Sequence, residues 1–203
     1  MNAVAWAIVA LGIGVVVVRR RSIAVGLVTA QALLLAAAAL GEGSSLDATV
    51  AAIALVLRGA VLATLLLLLV RRTRETRPVR AGTTPLARAA AAVALALTLI
   101  WLVPPIGLDS FAAERATLTL VAIGLVTAAT RRATLFQVLG IVLVENGLAL
   151  AALSLPGTSS LAIEVGVAVD LLLIALVAGV FHERIFAEFG AGDSAALRSL
   201  HDR

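Results

Sequence analysis

The 203-residue chain is too apolar for a soluble globular protein, since 62% of its residues are hydrophobic, only 14% are charged and its mean hydropathy is +1.11. It contains no cysteine, which excludes disulfides, thiolate metal sites and protein-ligated iron–sulfur clusters within the chain. The net charge of +4 comes from arginines near the ends of apolar segments, so membrane topology explains it better than nucleic-acid binding. We therefore expect a polytopic membrane protein whose partners, rather than this chain, hold any redox centre.

Apolar segments that are long enough to cross a bilayer recur along the chain. A span requires about 20 apolar residues, with roughly 17 to 25 allowed. The predicted spans are residues 2–18, 23–40, 48–70, 85–103, 112–130, 134–154 and 162–181. The fifth span requires Glu114 and Arg115 to lie at its outer edge. The first span is followed rather than preceded by arginines, which is the reverse of a secretory signal peptide. We therefore expect it to remain in the protein as a membrane-spanning helix. The predicted fold is all-α, a transmembrane bundle of about seven spans.

The loops between these segments alternate in charge. Loops after the first, third, fifth and seventh segments carry arginine, whereas those after the second, fourth and sixth carry none. The positive-inside rule then places the N-terminus outside and the C-terminus in the cytoplasm of a multi-pass protein of the cell (inner or plasma) membrane. Trp6 and Trp101 both fall near the outer interface, where aromatic rings are favoured. After the basic cytoplasmic linker, Thr84 and Pro85 are typical of an N-cap and a first helical position.

The distribution of polar residues predicts two similar three-helix units. The predicted parts are an N-terminal unit with its linker (1–84), a connecting helix (85–103), a second three-helix unit (104–187) and a cytoplasmic tail (188–203). Each unit has a polar residue in its second helix, Gln31 or Glu145, and a charge in its third, Arg58 or Asp170. Because one helix separates the units, both enter the membrane from the same side, which predicts a parallel repeat. The alternative is that any arginine-flanked apolar hairpin shows this pattern.

Four polar side chains lie near the middle of four different spans. With a rise of about 1.5 Å per residue, Gln31 lies about nine residues from either end of its span, and Arg58, Glu145 and Asp170 lie roughly eight to twelve residues from the ends of theirs. A charge at this depth costs about 3 to 10 kcal/mol or more unless it faces a partner or water. We therefore expect a hydrogen-bonded row across the interior of the bundle.

Two interpretations of this row stay open. In the structural one, Arg58 pairs with either Glu145 or Asp170 to lock the bundle. Gln31 and Asn146 then provide hydrogen bonds between helices. In the functional one, the row transfers protons. One arginine cannot neutralise two carboxylates, and a carboxyl group in a medium of low dielectric can hold or release a proton near neutral pH. The excess of carboxylates favours proton transfer, with Arg58 as charge partner and the two amides orienting water.

The segments RRATLFQVLGIVLVENGLALAAL and IEVGVAVDLLLIALVAGVF resemble component E of the hydrogenase-4 type, whose C-terminal part is similar to subunit K of complex I and to the C component of Mrp antiporters. The family pattern is an arginine before a helix of the form LFxxxGxxLxENG, then E-[IV]-G-[IV]-A-x-D in the next helix. The matching residues here are Leu135, Phe136, Gly140, Leu143, Glu145, Asn146 and Gly147, then Glu164, Val165, Gly166, Val167, Ala168 and Asp170. Gln31 and Arg58 also match, so the resemblance extends over nearly the whole chain.

The resemblance implies a non-catalytic membrane subunit of a hydrogenase-like or formate hydrogenlyase-like complex. Such a subunit passes protons along the membrane plane to antiporter-like and other membrane-arm subunits, and it binds no metal, cofactor or nucleic acid itself. The family has lysine where this chain has Arg58. Because a guanidinium stays protonated in proteins, Arg58 is expected to act as a charge partner. In subunit K the glutamate lies at the position of Val142, three residues earlier and on the same helix face as Glu145.

Other candidate chemistry in the sequence is sparse. Glu164 is predicted at the outer mouth of the seventh span, either as a solvated acid or as the point where protons enter from outside. His182 and His201 lack metal-ligand spacing with any partner. Two other classes of function stay open: a stand-alone small membrane transporter that uses the midplane charges as a substrate or ion site, and a purely structural membrane scaffold.

Overall fold

The computed structural model describes residues 2–41, 46–72, 83–131 and 133–155, which form six α-helices. These are α1 (Asn2–Val17), α2 (Arg21–Gly41), α3 (Leu46–Arg72), α4 (Pro85–Leu102), α5 (Phe111–Thr130) and α6 (Thr134–Leu153). Their ends agree with the first six predicted segments to within two residues. The all-α prediction is confirmed for these ranges, which contain no strand. The seventh predicted segment, 162–181, and the tail, 188–203, lie outside the described residues.

Five of these helices, α2 to α6, are long and apolar enough to cross a membrane. Helix α1 is also apolar, but its 16 residues extend over only about 24 Å, less than the hydrocarbon core of about 30 Å. The helices indicate a multi-pass membrane protein. The number of seven spans and the parallel repeat stay predictions, because the seventh segment lies outside the described part of the chain. The orientation in the membrane also stays a prediction, because helix length and composition do not define it.

Side-chain caps determine where α4 and α5 begin. The Thr84 hydroxyl accepts a hydrogen bond from the Ala87 N–H (3.2 Å), and Pro85, which has no N–H to satisfy, follows it directly. This confirms the predicted start of α4. The Ser110 hydroxyl accepts in the same way from the backbone N–H three residues later (3.1 Å). Glu114 therefore lies in the first turn of α5, at the edge where the predicted span required it.

Helices α2 and α5 occupy the centre of the described bundle. Helix α2 packs against α1, α3 and α6, whereas α5 packs against α1, α4 and α6. The contacts of α1 with α5 and of α2 with α6 join the two predicted three-helix units. Helix α4 lies at the periphery and exposes large apolar side chains, among them Leu86 and Trp101. Such a surface is suited to lipid, which is as apolar as these side chains.

The closest helix contact is between α5 and α6, and it depends on two glycines. A Cβ added to Gly124 would lie 2.5 Å from the backbone oxygen of Gly140, and one added to Gly140 would lie 2.6 Å from the backbone nitrogen of Ala128. Small residues allow helix backbones to approach in this way. Since successive residues turn by about 100° around a helix, Glu145 and Asn146 lie on the side of α6 opposite Gly140. Packing on α5 therefore directs these polar side chains toward the other helices.

Replacement of Gly140 by alanine should lower the free energy of unfolding by about 1 to 3 kcal/mol, because the added Cβ meets backbone atoms that cannot move aside. Gly26→Ala is the matched control, since Gly26 is exposed on α2 and has nothing within 4 Å of an added Cβ. Alanine there should be neutral or stabilising by up to about 1 kcal/mol. Thermal unfolding of both purified variants in detergent measures the difference. Equal stabilities would contradict the close contact between α5 and α6.

Candidate functional site

A buried ion pair joins α3 to α6. Arg58 Nη2 lies 3.2 Å from Glu145 Oε2. Arg58 is 6% exposed and Glu145 is 9% exposed, so both charges are directed into the bundle rather than toward lipid. A buried charge is tolerated when an opposite charge and further hydrogen bonds replace the water it has lost. The two partners are 87 residues apart in sequence, so the pair exists only in the folded bundle.

Two amide side chains extend this pair into a row that we call the buried row: Glu145, Arg58, Asn146 and Gln31. Arg58 Nη2 donates to Asn146 Oδ1 (3.4 Å), and Asn146 Nδ2 donates to Gln31 Oε1 (3.1 Å). Gln31 Nε2 then donates to the backbone oxygen of Ile8 (2.7 Å). Gln31 is fully buried and Asn146 nearly so. The row therefore connects side chains on α6, α3 and α2 with the backbone of α1.

Small residues make room for the buried row. Gly12 faces it from α1, where an added Cβ would lie 3.3 Å from Gln31 Nε2. Gly59 follows Arg58 on α3, and an added Cβ there would lie 2.8 Å from the Cβ of Ala32 on α2. Close approach of these backbones brings short amide side chains within hydrogen-bonding distance of groups on neighbouring helices. The geometry of the row thus depends on the packing of α1 and α3 against α2.

A small cavity of about 10 Å³ lies beside the buried row, between α2, α3 and α6. Arg58, Asn146 and Thr29 provide its polar lining, and apolar side chains such as Leu62 and Leu66 provide most of the remainder. A cavity of this size holds about one water molecule, which needs two or more polar partners. One water molecule can therefore contact the row at Arg58 and Asn146, in otherwise dry surroundings.

Four of the six predicted site residues come together in the structure. Gln31, Arg58, Glu145 and Asn146 form a hydrogen-bonded row. Their similar depth predicted that Gln31, Arg58 and Glu145 would meet in such a row together with Asp170. Arg58 pairs with Glu145, one of the two acids that the sequence offered as its partner. Asp170 and Glu164 lie outside the described residues. Within the described ranges no group of three or more His, Cys, Asp or Glu side chains is placed to hold a metal ion.

The sequence did not predict that arginines at one end of the bundle are buried. Arg131 directly follows α5 and is 1% exposed, and its Nη2 donates to the backbone oxygens of Val16 (2.8 Å) and Val18 (2.5 Å) at the end of α1. Its guanidinium also stacks on the Phe136 ring, 4.0 Å from the ring centre. The last carbonyls of a helix have no partner within it, and a cation there is favourable. Arg131 therefore caps a helix that is distant in sequence.

An arginine after an apolar segment is ordinarily a solvated residue at the membrane surface, so the sequence places Arg131 in an exposed loop. One signal in the sequence points instead to burial at this end. Arg88 lies inside the fourth predicted span, 85–103, and the structure places it in the first turn of α4 at 1% exposure. An arginine within a span is a candidate functional residue by position alone.

The chain has no match among protein-family models, curated proteins or solved structures. The resemblance to component E of hydrogenase-4 therefore stays a hypothesis that rests on the sequence motifs.

Single substitution of Arg58 or Glu145 by methionine should lower the free energy of unfolding by about 3 to 5 kcal/mol, because each leaves one buried charge without its counter-charge. The double variant removes both charges and should cost far less than the sum of the two single losses. Unfolding of the four purified proteins in detergent, by heat or denaturant, gives the coupling energy. Additive losses would mean that the two charges do not interact.

Proposed function

We propose that this chain is a proton-conducting membrane subunit of a redox-driven complex of the hydrogenase-4 or complex I type. The observation that carries the proposal is a buried carboxylate in a hydrogen-bonded row that connects four helices. Glu145 is the titratable member of this row, since the amides of Gln31 and Asn146 do not ionise and the guanidinium of Arg58 stays protonated. A proton that is held in the row therefore resides on Glu145.

The geometry around Arg58 supports reversible protonation of Glu145. The same nitrogen, Nη2, lies 3.2 Å from Glu145 Oε2 and 3.4 Å from Asn146 Oδ1. When a proton binds to Glu145, the carboxylate loses its charge and its attraction for Arg58 weakens. Asn146 is already in place as an alternative acceptor, so the guanidinium keeps a partner. Release of the proton restores the ion pair. The neighbouring cavity has room for about one water molecule beside Arg58 and Asn146, a position from which water would relay the proton.

The row alone does not make a complete path. It ends at the backbone oxygen of Ile8, which accepts a hydrogen bond but does not carry a proton at neutral pH. A path therefore needs further titratable groups, and Asp170, which is predicted at the same depth, is the next one in the sequence. Beyond it, protons would pass to carboxylates or lysines of antiporter-like membrane-arm subunits. The sequence resemblance supports such partners in a cell membrane.

A purely structural function is the second candidate, and one observation favours it. Arg58 and Glu145 form a buried ion pair between two helices, as expected of a charge lock. Among the described helices, α3 packs chiefly against α2, so the pair supplies a specific link from α3 to α6. In this function the pair stabilises the bundle and its state of protonation does not change. The two candidates therefore predict different consequences when Glu145 is made unable to titrate.

Glu145→Gln keeps the size and hydrogen-bonding capacity of the side chain but removes the titratable group. In inverted membrane vesicles that contain the assembled complex, it should lower proton translocation by at least about 100-fold, the usual effect of losing a proton-transfer group. Quenching of a pH-sensitive dye measures translocation, and immunoblotting measures how much of the chain is assembled. The matched control is Glu114→Gln, a partly exposed acid in the first turn of α5, which should leave translocation unchanged.

The two functions predict different results for this pair of variants. Loss of translocation per assembled complex in Glu145→Gln, but not in Glu114→Gln, supports proton transfer. Translocation that falls only in proportion to the amount of assembled complex supports the structural lock. Unchanged assembly and unchanged translocation would exclude the proton role of Glu145.

The predicted partners can be tested separately by purifying the tagged full-length chain from its native membrane in a mild detergent. We expect large antiporter-like membrane subunits and a peripheral redox subunit to copurify in fixed proportions, because the buried row needs neighbouring carriers to form a path. Mass spectrometry of the purified material identifies the subunits. Recovery of the chain by itself, from membranes in which it is abundant, would contradict a complex of this type.

A further inference from the structure

Among the arginines whose side chains the structure describes, five gather at one end of the bundle, where α1 and α5 end and α2 and α4 begin. We call this the arginine end; its residues are Arg19, Arg20, Arg21, Arg88 and Arg131. Two of them, Arg88 and Arg131, are each only 1% exposed. Buried guanidinium groups usually have a carboxylate, a phosphate or several carbonyl oxygens as partners. The partners of these two arginines are incomplete.

Each of the two buried guanidinium groups uses one of its three nitrogens. Arg88 Nη1 donates to the backbone oxygen of Thr83 (3.3 Å), whereas Arg88 Nε and Nη2 are buried and have no hydrogen-bond partner among the described residues. Arg131 Nη2 binds the end of α1, whereas Arg131 Nε and Nη1 are likewise buried and unpaired there. A buried donor without an acceptor costs about 1 to 3 kcal/mol, and more when it is charged. Both groups therefore need an acceptor that the described residues do not supply.

The described side chains also provide no negative charge at this end. Asp109 lies in the loop before α5 and Glu114 in its first turn, both at the opposite end of the bundle. Glu145 lies near the middle of α6 and pairs with Arg58. Among the side chains whose placement is described, no other carboxylate occurs. The arginine end therefore carries only positive charge within this part of the chain.

Electrostatic repulsion within the arginine end is considerable. Burial, together with the nearby charges of Arg88 and Arg19, lowers the pKa of Arg131 to about 10. This pKa is still well above neutral, so Arg131 remains cationic under physiological conditions. Arg88 lies in the first turn of α4, where the helix dipole adds further positive potential. An anion at this position would offset both the repulsion among the arginines and the positive potential of the helix dipole.

We propose that a phosphate-type anion binds between Arg88 and Arg131 at the arginine end. Two guanidinium groups present planar pairs of N–H donors that match phosphate oxygens, and the unpaired nitrogens on each are the donors such an anion needs. The apolar spans end at this level, which is where phospholipid headgroups lie. Arg19 and Arg20 are exposed at the same end and attract anions toward it. The anion is supplied either by an anionic phospholipid or by free phosphate.

The binding experiment uses the full-length chain, purified in detergent and freed of lipid, with thermal stability as the readout. Phosphatidylglycerol and inorganic phosphate are titrated separately, and phosphatidylcholine serves as a headgroup without net charge. At least one of the two anions should raise the melting temperature of the unaltered chain. In Arg88→Gln the apparent affinity for that anion should fall at least about tenfold, the change expected for one charge-assisted hydrogen bond.

Two exposed arginines provide matched controls. Arg20→Gln removes a charge from the same end, and Arg115→Gln removes one from the opposite end, where Arg115 stacks on Phe111. Both should change the affinity by no more than about twofold, because neither supplies a buried donor. An equal loss in Arg20→Gln and Arg88→Gln would indicate a diffuse surface charge and overturn the site.

The arms of the titration distinguish the source of the anion. Stabilisation by phosphatidylglycerol but not by phosphate or phosphatidylcholine identifies a lipid site, and stabilisation by phosphate identifies a free-anion site. No stabilisation by either anion would overturn the proposal. If Arg88→Gln does not fold, native mass spectrometry of the unaltered chain after exposure to each anion replaces the comparison. Failure to retain a single phospholipid or phosphate there would also overturn it.

Discussion

A charge inside a bilayer must find its partner within the protein, and the Arg58–Glu145 pair shows how this chain meets that constraint. There is no water in the hydrocarbon region to accept the hydrogen bonds of a guanidinium or to donate to a carboxylate. Each group therefore faces the other in the interior of the bundle, Arg58 from α3 and Glu145 from α6. Arg58 also donates a hydrogen bond to Asn146. Asn146 in turn donates to Gln31, and Gln31 donates to the backbone of α1.

The apolar packing of the bundle positions this pair. Gly124 and Gly140 hold α5 and α6 in close contact, and the opposite side of α6 carries the polar residues. Gly12 and Gly59 allow α1 and α3 to approach α2 at the level of the buried row. Tight contacts of this kind restrict where a short amide can reach, so the hydrogen bonds of the row are a consequence of helix packing as well as a contribution to it.

The buried row and the arginine end differ in how far their buried charges have counter-charges and hydrogen-bond partners. In the row, Arg58 lies beside the carboxylate of Glu145, and the amides of Asn146 and Gln31 accept and donate hydrogen bonds in turn. At the arginine end, two buried cations have donors to spare and the described side chains offer no carboxylate. In the first arrangement the guanidinium has a counter-charge, whereas in the second the described side chains supply none. Arg131 also caps α1, so one of the positive charges at this end stabilises the C-terminus of that helix.

Helix positions and the start of α4 were predictable because they depend on local features. The length of apolar segments gave the six described helices, and the Thr84–Pro85 sequence gave the N-cap. The common depth of Gln31, Arg58 and Glu145 followed from counting residues. The burial of Arg88 and Arg131 did not follow, because it depends on what packs around each side chain rather than on its neighbours in sequence.

The sequence by itself determined which residues lie in helices and how deep each polar group lies, since every helical residue advances the chain by the same 1.5 Å or so. Only the tertiary structure decided which helices are neighbours and in which direction each side chain points. The pairing of Arg58 with Glu145, and the capping of α1 by Arg131 more than a hundred residues away, depend on contacts between distant segments. Depth is a property of one helix, whereas pairing is a property of the packed bundle.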